Sequence, residues 1–143
     1  MPIINIKIAP LSPVTELEEK VAAAVTQAST HILRKNPEVT AVVVERVDPK
    51  VWFAGGTSLD RQRKSSFWLE IKVVDGTNTK DEKEAFIAAV FAAMAKLLGD
   101  LHEESYVHVH EVIADSYGYG GLTQERRYIA AKLQTLSQER RAA

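Results

Sequence analysis

The chain has 143 residues, 45% apolar and 26% charged, which suits one globular domain or two small repeats sharing a core. Zero cysteines exclude a disulfide framework, a thiolate metal site and a cysteine nucleophile. A net charge of −1 and a pI near 6.4 leave no basic footprint for nucleic acid. With no apolar run approaching the roughly 18–20 residues of a membrane span, and no signal-peptide pattern at the start, a cytoplasmic protein without membrane or nucleic-acid partners is expected.

Pro2 opens an alternating apolar strand, Ile3-Ile4-Asn5-Ile6-Lys7-Ile8. If Met1 is trimmed, the chain starts with a secondary amine anchored to a sheet. An α-amino group titrates near pH ~7.7–8.0, and desolvation or nearby positive charge lowers it further. Such a proline can act as a general base or nucleophile. On its own it equally suits the start of an edge strand, where the missing N–H costs nothing. Ser12 followed by Pro13 predicts a helix N-cap and first helical position. Val14, Leu17, Val21, Val25, Ala28 and Ile32 then mark one helical face, ending before Pro37. A strand follows at Ala41-Val42-Val43-Val44, then a turn at Asp48-Pro49-Lys50 and the segment Val51-Trp52-Phe53-Ala54-Gly55-Gly56. Thr57 to Ser66 reads as a linker.

The second half repeats this order at an offset of 65 residues without a gap. Strand Ile4–Ile8 falls on Leu69–Val73, and helix residues Ala23, Ala24, Val25 and Ala28 on Ala88, Ala89, Val90 and Ala93. Val42-Val43-Val44 falls on Val107-His108-Val109, Trp52 on Tyr117, and Gly55-Gly56 on Gly120-Gly121. Thr79 and Glu82 predict a capping box, Phe86, Val90, Met94 and Leu97 an apolar stripe, and Gly99 a C-cap. The expected fold is therefore α+β: two tandem β-α-β repeats (2–64 and 65–127, within one domain of residues 1–143) with right-handed crossovers. They form a four-stranded sheet with two helices on one face. A tail at 128–143 predicts a short amphipathic helix from Tyr128, Ile129, Leu133 and Leu136. Because Ala41–Val44, and largely Ile3–Ile6, are apolar on both faces, the uncovered side of the sheet is expected to be buried between subunits.

A terminal proline on a strand, a β-α-β unit of about 60 residues and a Gly-Gly hairpin after an aromatic together resemble the tautomerase superfamily. The resemblance covers about residues 2–127. It implies a cofactor-free enzyme in which Pro2 is catalytic, with Trp52 and Tyr117 at the position of the pocket aromatic. The fused length is similar to the dehalogenase and decarboxylase branches, which implies a homotrimer of pseudo-sixfold symmetry. The family's carboxylate-binding arginines fall on Ser12 and Thr77, and on Ala41 and Tyr106, none of them a cation. The dehalogenase branch's helix histidine falls on Ser29 and its paired arginines on Val74 and Thr77, which argues against that chemistry.

Other side chains must then hold an acidic substrate. Tyr106, His108 and His110 alternate along one strand and so share a face. They form either a polar wall for a carboxylate or carbonyl or a polar stripe at a subunit interface. The two histidines lack clustered further ligands for a metal site. Arg61, Arg63 and Lys64 are the densest positive charge and either reach a substrate or solvate the linker. Tyr117 is either a pocket aromatic or part of a plain hairpin, and Trp52 and Phe53 either line the pocket or seal an interface. The reading is a cofactor-independent tautomerase acting on a small oxo or unsaturated acid, with Pro2 as general base. Hydration, decarboxylation or dehalogenation with a protonated Pro2, and a non-catalytic trimeric scaffold, are the alternatives. Phe67, the counterpart of Pro2, is internal and has no free amine, so one site per chain is expected.

Overall fold

The computed structural model describes residues 2–143; the expected trimming of Met1 lies outside them. Strand β1 (Ile3–Ala9) is followed by helix α1 (Leu17–His31) and strand β2 (Ala41–Arg46). A two-strand hairpin, β3 (Phe53–Ala54) and β4 (Thr57–Ser58), leads into the short helix α2 (Leu59–Gln62). The second half gives β5 (Ser66–Val74), α3 (Lys80–Leu98), β6 (Tyr106–Val112), the hairpin β7 (Gly118–Tyr119) and β8 (Leu122–Thr123), and α4 (Gln124–Ala142).

Each repeat is thus a β-α-β unit with a parallel pair, β1 with β2 and β5 with β6. The units join through antiparallel pairing of β1 with β5, giving a mixed sheet of order β2-β1-β5-β6. Ile3 pairs with Lys72 and Lys7 with Trp68. Because Trp68 and Lys72 are the repeat counterparts of Ile3 and Lys7, these two pairs are related by a local two-fold axis. The axis sends the N-terminal ends of the two leading strands to opposite ends of the sheet.

Alternation decides the faces. Ile4, Ile6 and Ile8 of β1 and Phe67, Leu69, Ile71 and Val73 of β5 point inward and are fully buried. They pack under Leu17, Val21 and Val25 of α1 and Phe86, Val90 and Met94 of α3 in one core cluster. The outward side carries Asn5, Lys7, Glu70, Lys72, His108 and His110, with Val43, Trp68 and Tyr106 the exposed large hydrophobic residues. The expected two-sided apolar strand therefore exists in β2; β1 turns polar outward after Ile3.

Two local expectations need correction. Helix α1 starts at Leu17, not at Ser12-Pro13: Glu16 precedes it in the left-handed region (φ 56°) without a side-chain cap. Proline at 10 and 13 fixes its own φ, and Val14 packs against the core from outside the helix. The tail helix begins at Gln124, directly after the hairpin and capped by Thr123, four residues earlier than the boundary at Tyr128. The Thr79–Glu82 capping box forms as expected, both bonds being present. The linker 57–66 is ordered as β4 and α2, capped by Ser58.

Candidate active site

Pro2 lies at the beginning of β1 and is buried. Its carbonyl accepts the N–H of Ala41 (3.2 Å), which ties the start of β2 to it. Continuing the β1–β5 register places Val73 opposite Pro2, so the turn after β5 is at the same end of the sheet.

The second hairpin delivers Tyr117 to that end. Gln124 N–H donates to the Tyr117 carbonyl (2.8 Å), as Leu59 N–H donates to that of Trp52 (2.9 Å) in the first repeat. Gly120 and Gly121 turn the chain at φ 60° and 80°, where a side chain would strain. Gly118 is needed for space: a Cβ there would meet the Leu122 carbonyl oxygen at 2.1 Å. Arg127 fastens the hairpin, donating to the Tyr119 carbonyl (3.0 Å) with its guanidinium 3.8 Å from the Tyr119 ring centre. So held, the half-buried Tyr117 hydrogen-bonds the backbone of Ile3, the residue after Pro2. Burial pushes the Tyr117 phenol up, against smaller opposing effects from that bond and from the charge of Lys72. It remains a neutral hydroxyl.

Two cations stand at this end that sequence reasoning missed. Lys72, across from Ile3, pairs with Glu70 on the same outward face, and its hydrogen bond holds the Glu70 carboxyl below the usual range. Lys35, in the turn after α1, donates from Nζ to the Thr77 hydroxyl (3.0 Å), which itself donates to the Val74 carbonyl (2.6 Å). Thr77 occupies one of the family's arginine positions, so a lysine from the other repeat stands where that arginine is absent. Burial lowers the Lys35 ammonium pKa, with Arg34 adding to this and Glu82 opposing it. The signal was available: the repeat counterpart of Lys35 is Asp100, so the two ends of the sheet differ in charge.

Of the expected site residues, the structure gathers Pro2, Tyr117 and, through its pairing with Lys72, His110 at one end. His108 lies one step inward beside Glu70, its ring stacked on His110 (centroids 5.1 Å, 10° between planes). Trp52, Tyr106 and Arg61 go to the opposite end. Tyr106 pairs with Trp68, level with Lys7 and about 13 Å along β1 from Ile3. There Lys7, Val51, Trp52, Phe53, Trp68 and Tyr106 line a depression of about 500 Å³. Arg61 is exposed on α2. This is the two-fold copy of the Pro2 end, but Phe67 replaces the proline and is buried in mid-chain. Among the described residues no three His, Asp or Glu side chains group to hold a metal ion.

The sequence pattern of the family described as "Tautomerase enzyme" matches twice, over residues 2–62 and 68–127. The chain belongs to the tautomerase family. A probable tautomerase, K2, of Dickeya dadantii (strain 3937) is 33% identical over 66 residues, 46% of this chain and 98% of that protein. A stretch of less than half of this chain thus spans nearly the whole of that relative. Among solved structures, a wild-type fused 4-OT that forms a symmetric trimer superposes with a TM-score of 0.74 at 14% identity, over 86% of this chain and 96% of that one. The malonate semialdehyde decarboxylase FG41, inhibited by 3-bromopropiolate, gives 0.68 at 17% identity, over 91% and 96%. Identities this low speak for a shared fold alone. No helix among the described residues is long and apolar enough to cross a membrane.

Proposed function

We propose that this tautomerase isomerises a small α-oxo acid without a cofactor, using the Pro2 amine as general base. The observation that carries the reading is the composition of the Pro2 end: a buried strand-initial proline, a neutral tyrosine hydroxyl on the next residue's backbone, Lys72 opposite Ile3, and Lys35 on Thr77 in the turn after β5. Burial and nearby positive charge both disfavour the protonated form of such an amine. The amine takes a proton from the carbon α to the substrate carbonyl, and the enolate oxygen accepts a hydrogen bond from Tyr117. Pro2 returns the proton to that oxygen; the reverse transfer ketonises an enol. Lys35 holds the carboxylate in place of the absent arginine, with Lys72 and His110 on the outward side.

The active assembly in this reading is a homotrimer, supported by the trimeric fused 4-OT of the same fold and by the uncovered sheet face. The test is the tautomerisation rate of phenylpyruvate or 2-hydroxymuconate for protein whose intact mass shows loss of Met1. Pro2→Ala, which leaves a primary amine, should lower kcat/KM at least ~10-fold. Equal rates at matched folding would place the base elsewhere. Decarboxylation of an oxo acid in the absence of isomerisation would favour the protonated-proline reading.

A further inference from the structure

Helix α4 is out of proportion to the rest of the second repeat. The equivalent helix after the first hairpin, α2, has four residues, with Leu59 fully buried on its own chain. Helix α4 has 19 residues, none of them buried. It touches its own chain mainly at the turn 114–116 and at β8. Ile129, Leu133 and Leu136 recur at helical spacing and are all more than half exposed, Leu133 by 62%. Ile129 and Leu133, with Leu122 of the hairpin, line a groove of about 610 Å³. An apolar row on a helix this polar stays in water only at a cost, and marks a docking surface.

The chain also carries a surface that such a helix fits, and carries it at the wrong end for its own use. The abandoned copy of the active site exposes Val51, Phe53, Trp68 and Tyr106, Phe53 by 61%. Carboxylates stand at its border alongside the lining Lys7 and the nearby Arg61: Glu45 lies level with Lys7, and Glu103 and Glu104 precede β6, Glu104 accepting from the Tyr106 hydroxyl. Helix α4 is the opposite. It holds Arg126, Arg127, Lys132, Arg140 and Arg141 against Glu125 and Glu139, whereas the whole chain stands at −1, so the remainder is acidic. Apolar row and apolar patch therefore come with complementary borders.

We infer that α4 of each copy docks on the Val51–Phe53–Trp68–Tyr106 surface of a second copy of this chain. The two surfaces lie at opposite ends of the sheet, so neither can satisfy the other within one chain. A contact between two different surfaces runs head to tail, and closes only as a ring. The inference rests on the ring assembly proposed above and assigns it a clamp. It also gives the lost second site a use: its apolar lining becomes the receptor for the neighbour's helix.

The chain has no cysteine, which makes a crosslinking test clean. Two double variants, Phe53→Cys with Leu133→Cys and Phe53→Cys with Leu136→Cys, are oxidised at micromolar protein and run on a non-reducing gel beside the three single variants. The expected result is a covalent trimer from at least one double variant, while single variants stop at dimer. Leu133→Glu with Ile129→Glu should lower the mass seen by light scattering, with unchanged helical circular dichroism. Trimeric starting protein that gives no covalent trimer from either pair, or keeps its mass with both glutamates, overturns the clamp and leaves the assembly standing. Monomeric wild type overturns both.

Discussion

Phe67 occupies in the second repeat the place Pro2 occupies in the first, and its ring is fully buried, tilted 58° to that of Phe91 with centroids 6.3 Å apart. Two strands related by a local two-fold thus begin in opposite ways, one with a proline at the chain's start and one with a core aromatic. The surroundings diverged with them. Tyr117 corresponds to Trp52 in the other repeat, and Lys35 to Asp100. At the Phe67 end Ser66 donates to the Glu104 carbonyl (3.1 Å), and Ser65 to that of Gly99, closing the space before the strand.

Phe67 should accordingly behave as a packing residue. Phe67→Ala empties a site in the middle of the shared core, at a cost of about 3–5 kcal/mol. Urea unfolding should show a lower midpoint with an unchanged slope. A loss under about 1 kcal/mol would mean that the ring is not part of the core.

Much of this was legible because it is local or repeated. The 65-residue offset survives in four elements, the Thr79–Glu82 box spans only four residues, and the Gly-Gly turns need positive φ. What stayed hidden depends on how the repeats meet. Lys72 belongs to the Pro2 end only because β5 runs antiparallel to β1, which no spacing within a repeat reveals. The same pairing carries Tyr106 away from the site while leaving His110 near it. Ser12-Pro13 misled for a different reason: it has helix-start chemistry, but Val14 is drawn into the core before the helix begins.

Removing the Tyr117 hydroxyl tests the enolate's partner. Since burial raises this phenol above its ordinary value of 10, it donates without ionising through pH 6–9. Tyr117→Phe should lower kcat/KM by about tenfold or more, on the scale of a lost oxyanion donor, without moving the pH profile. Unchanged kcat/KM, or a lost alkaline limb, would assign the hydroxyl another role.

Glu70 makes an acid-side prediction. Lys72 holds its folded-state pKa down, so the pair's contribution is present above the unfolded carboxylate value and lost as pH falls through the folded one. Both side chains retain solvent contact, which limits the effect to about 1 kcal/mol or less. Glu70→Gln should be the less stable protein at pH 7, and the difference should vanish by pH 3. A gap that persists in acid would show that the pair's charge is not its source.

The residue that holds the carboxylate can be found from how binding depends on pH. Lys35 must be charged to bind an acid, and burial pulls its pKa below the ordinary 10.5. KM for an α-oxo acid should therefore rise with pH, beginning below 10.5. Stability should rise with pH over the same window, because the folded state there binds fewer protons than the unfolded one. Lys35→Met should raise KM about tenfold and flatten the dependence. Lys35→Arg, which stays charged at every accessible pH, should keep a low KM and lose the alkaline rise. His108→Ala and Arg61→Ala serve as comparisons, the first lying one step inward from the site and the second at the far end of the sheet. If binding weakens near pH ~6.5, where an unperturbed imidazole loses its charge, and His108→Ala abolishes that step, the histidines are the holders and Lys35 is structural. If Arg61→Ala alone raises KM, the linker of a neighbouring copy reaches the site. Loss of binding confined to the Lys35→Met protein, with rescue by arginine, is the pattern that the bond from Lys35 to Thr77 predicts.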